Sequence, residues 1–396
     1  MATLQQKILD LSEQHFETMV KIRRHLHRNP EVSFQEFDTT ELIIGELGEM
    51  DIEVERPLET GCLGIIRGNK ESERVIALRA DIDALPMQEE GEAKKEFISE
   101  RPGAAHCCGH DGHTANLLGA ARILSDLKSE LTGTVVLIFQ PGEEKLPGGG
   151  SLLTETNALQ NLGVQEVYGL HTNPRYEPGV IAVKPGPLMA CTVEFTIEVI
   201  GKGGHAAAPH LAVDPIVAAS QAITQFQSIV SRSVDPTESA VITVARIEAG
   251  SAFNIIPEKA TLYGTVRTFS LEQARFIRKR MDEVLQGITK AAGATYTFDF
   301  TEGYPAVIND VTTTEKLKNS AKMMLGDDKV VELDRPSMAG EDFSFYQKEF
   351  PGTFFFLGTG SDEADSKWDW HHPRYNIDER GLLTGSRVMA AVALEV

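Results

Sequence analysis

Short apolar runs, separated by amphipathic stretches and ending in polar or acidic residues, constrain this chain more than any other feature. GCLGIIRG (from Gly61), RVIALRA (from Arg74), TVVLIFQ (from Thr134) and EVYGL (from Glu166) read as short buried strands. Leu117, Ala121, Leu124 and Leu127 line one face of an intervening helix. Upstream, Ile8, Leu11, Phe16, Met19, Ile22 and Leu26 keep roughly helical spacing until Pro30. A second helix is predicted from about Thr39 to Leu47, with Asp38 as its N-cap. Such alternation predicts a largely parallel sheet with helices on both faces.

Between about Cys191 and Gly303 the rhythm changes. TVEFTIEVI reads as a strand, VDPIVAASQAITQFQSIV as a helix with Pro215 near its start, and SAVITVARIEAG and KATLYGTVRTFS as strands. A helix ending at Gly293 and the strand ATYTFDF complete a βαββαβ order, the ferredoxin-like pattern. The chain then returns to its first rhythm with TFFFLGTG (from Thr353) and the closing helix GLLTGSRVMAAVALEV. The predicted fold class is α/β: a mixed, mostly parallel sheet flanked by helices, formed by residues 1–187 and 304–396, with a ferredoxin-like domain inserted at 188–303.

The 396 residues support two domains, and 41% hydrophobic with 24% charged residues is ordinary globular composition. A net charge of −20 disfavours phosphate backbones and anionic lipid, so neither nucleic acid nor membrane is an expected partner. Four cysteines are too few for a disulfide framework and read as cytosolic thiols, some of them metal-binding. The first residues show no basic segment followed by an apolar run, and no apolar stretch is long enough to span a bilayer. The expectation is a soluble, acidic, cytoplasmic protein.

HCCGHDGHTANLLGAA, from His106, carries the clearest chemistry. Cys108 and His110 offer a thiolate and an imidazole, good ligands for zinc-like divalent cations. One such pair alone is more often a packed thiol and histidine. The other candidates shift that balance, because they follow strands: Asp81 and Asp83 after RVIALRA, Glu143 and Glu144 after TVVLIFQ, and His171 after EVYGL. Open α/β sheets bind ligands beyond the carboxyl ends of their strands, so three strands deliver carboxylates or imidazole to one edge. Of two adjacent glutamates at such a place, one can ligate metal while the other handles protons.

The motifs RRHLHRNPEVSFQE (from Arg23), LRADIDALP, HCCGHDGHTA, QPGEE, YGLHTNP, GKGGHAAAPH, FNIIPEKA, MAGEDFSFY and HHPRYNIDE occur in this order. Together they resemble the M20 family of metallopeptidases and amidohydrolases. The branch most similar is that of the N-acyl-amino-acid amidohydrolases: hippurate hydrolase, aminoacylase, auxin-conjugate hydrolase and N-acetyldiaminopimelate deacetylase. The resemblance covers nearly the whole chain and implies a zinc-peptidase-like catalytic domain holding two divalent metal ions per subunit. Manganese or zinc comes first, with cobalt or nickel as further candidates.

By the same resemblance Cys108, His110, Glu144, His171 and His371 are the metal ligands, and the spacing to the following proline and glutamate selects His371 over His372. Glu143 matches the general base, and Asp81 an aspartate that supports the metal site. His113 reads as packed or supporting, and Cys107 as a packed thiol. His205 is implied to reach across a homodimer and stabilise the tetrahedral oxyanion. Asn254 and Arg267 are implied to hold the substrate's carboxylate and oxygen atoms; an arginine clamps a carboxylate with two hydrogen bonds. The inserted domain is then a dimerisation or lid element, and pairing of dimers into a tetramer stays open.

The activity implied is hydrolysis of the amide bond of N-acyl-L-amino acids, a small-molecule substrate class. A dipeptidase or carboxypeptidase with the same metals is the nearest alternative, differing in whether the acyl side carries a free amine. A catalytically silent, metal-dependent binding protein is the alternative of another class. Five candidate ligands plus an adjacent glutamate suit an open site better than a closed structural zinc.

Overall fold

The longest helix, Leu4–Arg28, puts Ile8, Met19, Ile22 and Leu26 on one buried stripe. Each such side chain, fully buried, contributes about 1.5–3 kcal/mol. In this computed structural model, which describes residues 2–396, that stripe packs into a large core with the helices His110–Asp126 and Gly381–Leu394. The second helix is Phe37–Glu49, two residues longer at each end than its apolar spacing indicated. Asp38 lies inside its first turn rather than at the cap; the capping position is Glu36, whose side chain makes no cap bond.

The helices cover an eight-stranded sheet. Its order is Glu53–Glu55, Cys62–Arg67, Thr132–Gln140, Lys70–Asp81, Glu166–Asn173, Gly352–Gly358, Ile181–Val183 and Val330–Glu332. Four of the seven neighbouring pairs are parallel and three antiparallel. Three of the parallel pairs occupy the centre, where strands buried on both faces need continuous apolar runs, and the fourth lies at the Val330–Glu332 edge. The register aligns their ends: Asp81 pairs with Gln140, and Arg79 with Gly169. The carboxyl ends of three adjacent strands therefore finish side by side.

The chain divides into two compact units, Met1–Leu188 with Val307–Pro336 and Asp342–Val396, and Met189–Ala306 with Ser337–Glu341. The second has its own core and a four-stranded antiparallel sheet ordered Ala240–Ala249, Lys259–Thr268, Cys191–Ile200, Thr295–Glu302. With helices Pro215–Arg232 and Leu271–Ala292 this is the ferredoxin-like βαββαβ arrangement. Pro215 opens the first helix behind an Asp214 cap, and Gly293 closes the second at φ +72°, a conformation glycine adopts without strain. One part was not foreseen: Ser337–Glu341 joins this unit, with Ser337 bridging Met189 and the Ala190 N–H donating to the Ala339 carbonyl at 2.9 Å. Among the described residues no helix is long and apolar enough to cross a membrane.

Candidate metal centre

The strand ends set the positions of the donors. Asp81 closes the central strand and Asp83 follows two residues on; both are fully buried. Glu143 and Glu144 lie just past Gln140, and His171 lies within the last residues of its strand. Cys108 and His110 flank Gly109, the residue preceding the helix His110–Asp126. At φ +95°, and with a Cβ that would come within 2.4 Å of Thr172 Oγ1 and 2.8 Å of Tyr375 Oη, this position requires glycine.

These placements bring six of the expected residues together. The ligand atoms of Cys108, His110 and His171 all lie within 4.8 Å of one another, as do those of Cys108, Glu144 and His371, and those of His110, Glu143 and Glu144. Cys108 Sγ is 3.3 Å from His171 Nε2, and His371 Nε2 is 3.2 Å from Glu144 Oε1. His371 sits at φ +63°, a conformation costing a non-glycine residue roughly 1–2 kcal/mol, and its N–H donates to the Cys107 carbonyl at 2.8 Å. The neighbouring His372 is engaged elsewhere: its ring stacks on Trp368 at 4.5 Å and accepts from the Arg374 N–H.

Each imidazole is oriented from behind. His171 donates from Nδ1 to the Thr172 carbonyl (2.8 Å), which turns the Nε2 lone pair toward the Cys108 thiol. His110 donates from Nδ1 to Asp83, at 3.0 Å from the carbonyl and 3.2 Å from the carboxylate. Asp81 instead holds His113 Nδ1 at 2.6 Å, while His113 Nε2 accepts from the Thr172 N–H at 2.9 Å. Both nitrogens of His113 are thus occupied, and it supports rather than ligates. Asp81 also receives Arg79 at 2.9 Å and approaches His110 Nε2 at 3.5 Å. Sequence reasoning assigned the supporting role to Asp81 alone; Asp83 shares it, and the two-residue spacing that puts both on one strand end was the available signal.

The electrostatics suit a cation. Burial, aided by His113, presses the His171 pKa well below the ordinary histidine range. His110 moves the other way: burial opposes it, yet Asp81, Asp83 and Glu144 raise its pKa to about 10. Burial, with Glu144 and Glu143 beside it, holds the Cys108 thiol well above the usual thiol range. Without a metal the carboxylates hold protons on His110 and Cys108; a divalent cation answers the same negative field and releases them. Two buried polar atoms, His110 Nε2 and Glu144 Oε1, have no hydrogen-bond partner. Unsatisfied atoms of this kind, converging with a thiol and two further imidazoles, fit a metal centre, and overlapping triads offer more donors than one tetrahedral ion takes.

The remaining expected residues lie in the second unit, outside every one of these donor groups. His205 is exposed on the two-residue strand Gly204–His205, opposite Ile255. Its Nδ1 accepts from the Ala207 N–H at 3.0 Å, so Nε2 carries the outward N–H. Asn254, whose carbonyl accepts from the Ala206 N–H at 3.1 Å, is held beside it by the same short ribbon. Arg267 stands on Lys259–Thr268 between Thr192 and Val241, half-buried, with Nη1 lacking a hydrogen-bond partner.

Comparison with known proteins agrees with this architecture. The chain is 41% identical to an N-acetylcysteine deacetylase of Bacillus subtilis over 98% of this chain and 99% of the relative. It is 39% identical to the IAA-amino acid hydrolase ILR1-like 4 of Arabidopsis thaliana, over 98% and 88% of the two chains. The crystal structure of the Bacillus subtilis YXEP protein, described as a dinuclear metal binding peptidase from the M20 family, superposes with a TM-score of 0.83 at 37% identity, covering 96% of this chain and 98% of that one. The model of peptidase family M20/M25/M40 matches residues 77–395. This chain belongs to that family.

Proposed function

We propose that the chain is a metal-dependent amidohydrolase that deacylates N-acyl-L-amino acids at a centre of two divalent cations. The observation that carries this reading is the convergence of Cys108, His110, Glu143, Glu144, His171 and His371, with two buried polar atoms left without hydrogen-bond partners. Cys108, His110, Glu144, His171 and His371 hold the metals, manganese or zinc in the first place. When bound, such cations supply Lewis acidity toward the amide carbonyl and the attacking water.

The chain's own residues do the rest. Glu143 takes the proton from the attacking water and returns it to the leaving amine, because its carboxylate sits among the donors without being needed as one. Asp81 and Asp83 keep His113 and His110 in their working orientations. His205, whose Nε2–H faces outward, donates to the oxyanion from a second copy of the chain. Asn254 and Arg267 hold the substrate's carboxylate, for which the unpartnered Nη1 of Arg267 is suited. The second unit serves as the dimerisation element, its exposed edge strand Ala240–Ala249 offering backbone groups to a second sheet. Four free, buried cysteines suit a reducing, cytoplasmic compartment.

The test is hydrolysis by metal-stripped and reconstituted protein of acetyl-, benzoyl- and indoleacetyl-amino acids, N-acetyldiaminopimelate and free dipeptides. Stripping should abolish turnover and a divalent cation should restore it on acylated amino acids. Full activity in metal-free protein would overturn the mechanism, and exclusive cleavage of dipeptides would assign the site to the peptidase alternative.

A further inference from the structure

Behind the candidate ligands lies a group of buried charges that the reaction does not use. Arg23 and His27 are on the last turns of Leu4–Arg28, and both are closed to solvent, as are Glu89, Lys94 and Asp111. Arg23 Nε donates to Asp111 Oδ2 at 2.7 Å, and Nη2 to Asn376 Oδ1 at 3.0 Å. His27 stands between two carboxylates, with Nδ1 2.8 Å from Asp111 and Nε2 3.0 Å from Glu89. Lys94 pairs with Glu89 at 2.5 Å and donates to the carbonyls of Tyr375 (2.7 Å) and Pro373 (3.2 Å).

The ends of this network are informative. Asp111 is the neighbour of His110, at the start of the helix that succeeds the Cys108 loop. Pro373 and Tyr375 lie two and four residues beyond His371. Tyr375 also shares a hydrogen bond of 2.8 Å with Thr172, the neighbour of His171. Ligands far apart in the chain are thus tied through one set of buried ions. Buried ion pairs seldom stabilise a fold better than apolar side chains of the same volume, so net stability is a weak reason for keeping five buried ionisable residues; fixed geometry is a stronger one.

We propose that Arg23, His27 and Lys94 are positioning residues that hold the His371 segment in register with the Cys108–His110 loop, so that both halves of the ligand set are preorganised for metal. This rests on the proposed assignment of the metal ligands. The experiment measures Co²⁺ affinity and stoichiometry of the metal-stripped full chain by competition with a chromophoric chelator. The variants are Arg23→Lys and the paired change Lys94→Met with Glu89→Gln, which removes the tether without stranding a buried charge. Affinity should fall about 10–100-fold in each, with wild-type far-ultraviolet circular dichroism, as when the partners of metal ligands are lost. Affinity within about twofold of wild type in folded variants would overturn the positioning role and leave the ligand assignment intact. Failure of all variants to fold would overturn it too, since the network would then serve the fold rather than the site. Absence of Co²⁺ binding by the wild type would instead overturn the ligand assignment.

Discussion

Glu143 and Glu144 are chain neighbours with different surroundings, and the proposed mechanism separates them. Glu144 Oε1 faces His371 and has no hydrogen-bond partner. Replacing it with alanine should cost metal affinity and activity together. Glu143→Ala should keep both metals and lose turnover by about 10²–10⁴-fold, the usual worth of a positioned acid–base group. Metal content measured on both purified variants decides the matter: an equal drop would refute the division of roles. A different residue governs acid stability. His106 is buried with both ring nitrogens unpartnered, and burial lowers its pKa from 6.5 to about 4. The unfolded chain binds the extra proton between those values. The stability of the neutral ring is therefore fully present above about pH 6.5 and is lost as pH falls toward about 4, on the order of 3 kcal/mol in all. Urea midpoints of the metal-stripped protein should drop over this window less steeply in His106→Leu than in wild type; parallel slopes would dismiss the idea.

The helix His110–Asp126 shows how an element start can place chemistry. Its preceding glycine, at φ +95° against Thr172 and Tyr375, lets Cys108 and His110 turn toward the strand ends. Gly109→Ala should therefore lower both stability, by about 1–3 kcal/mol, and metal affinity. Thermal melts and Co²⁺ titration check this, and a variant unchanged in both would show that the turn is not needed. This loop was legible in the sequence, as were the strand-end acids and histidine, because period-two and apolar-run patterns locate strand ends directly. Other features were not. The strands Ile181–Val183 and Val330–Glu332 are three residues each, too short for any periodicity to register. The motif at Arg23 was visible, but nothing in its spacing tells that its side chain meets Asp111 and Asn376, since pairing over such separations is set by packing alone. The left-handed backbone of His371 was equally silent, because histidine, unlike glycine, does not advertise it.

At the scale of the whole molecule, the proposed sharing of His205 between subunits makes a sharp prediction. His205→Ala and Glu143→Ala should each be inactive alone, yet regain part of the activity once mixed and allowed to exchange subunits, because a heterodimer contains one site with both residues intact. No recovery after exchange is verified by mass would place His205 outside its partner's chemistry. The sheet order carries one more consequence. The strand Gly352–Gly358 lies between Glu166–Asn173 and Ile181–Val183, although it is made long after both. At a ribosomal pace of about 5–20 residues per second, the interval between Asn173 and Gly352 is roughly ten to forty seconds. Until that penultimate element is made, the edge of Glu166–Asn173 has no strand to pair with, an open backbone edge of the kind that invites mispairing.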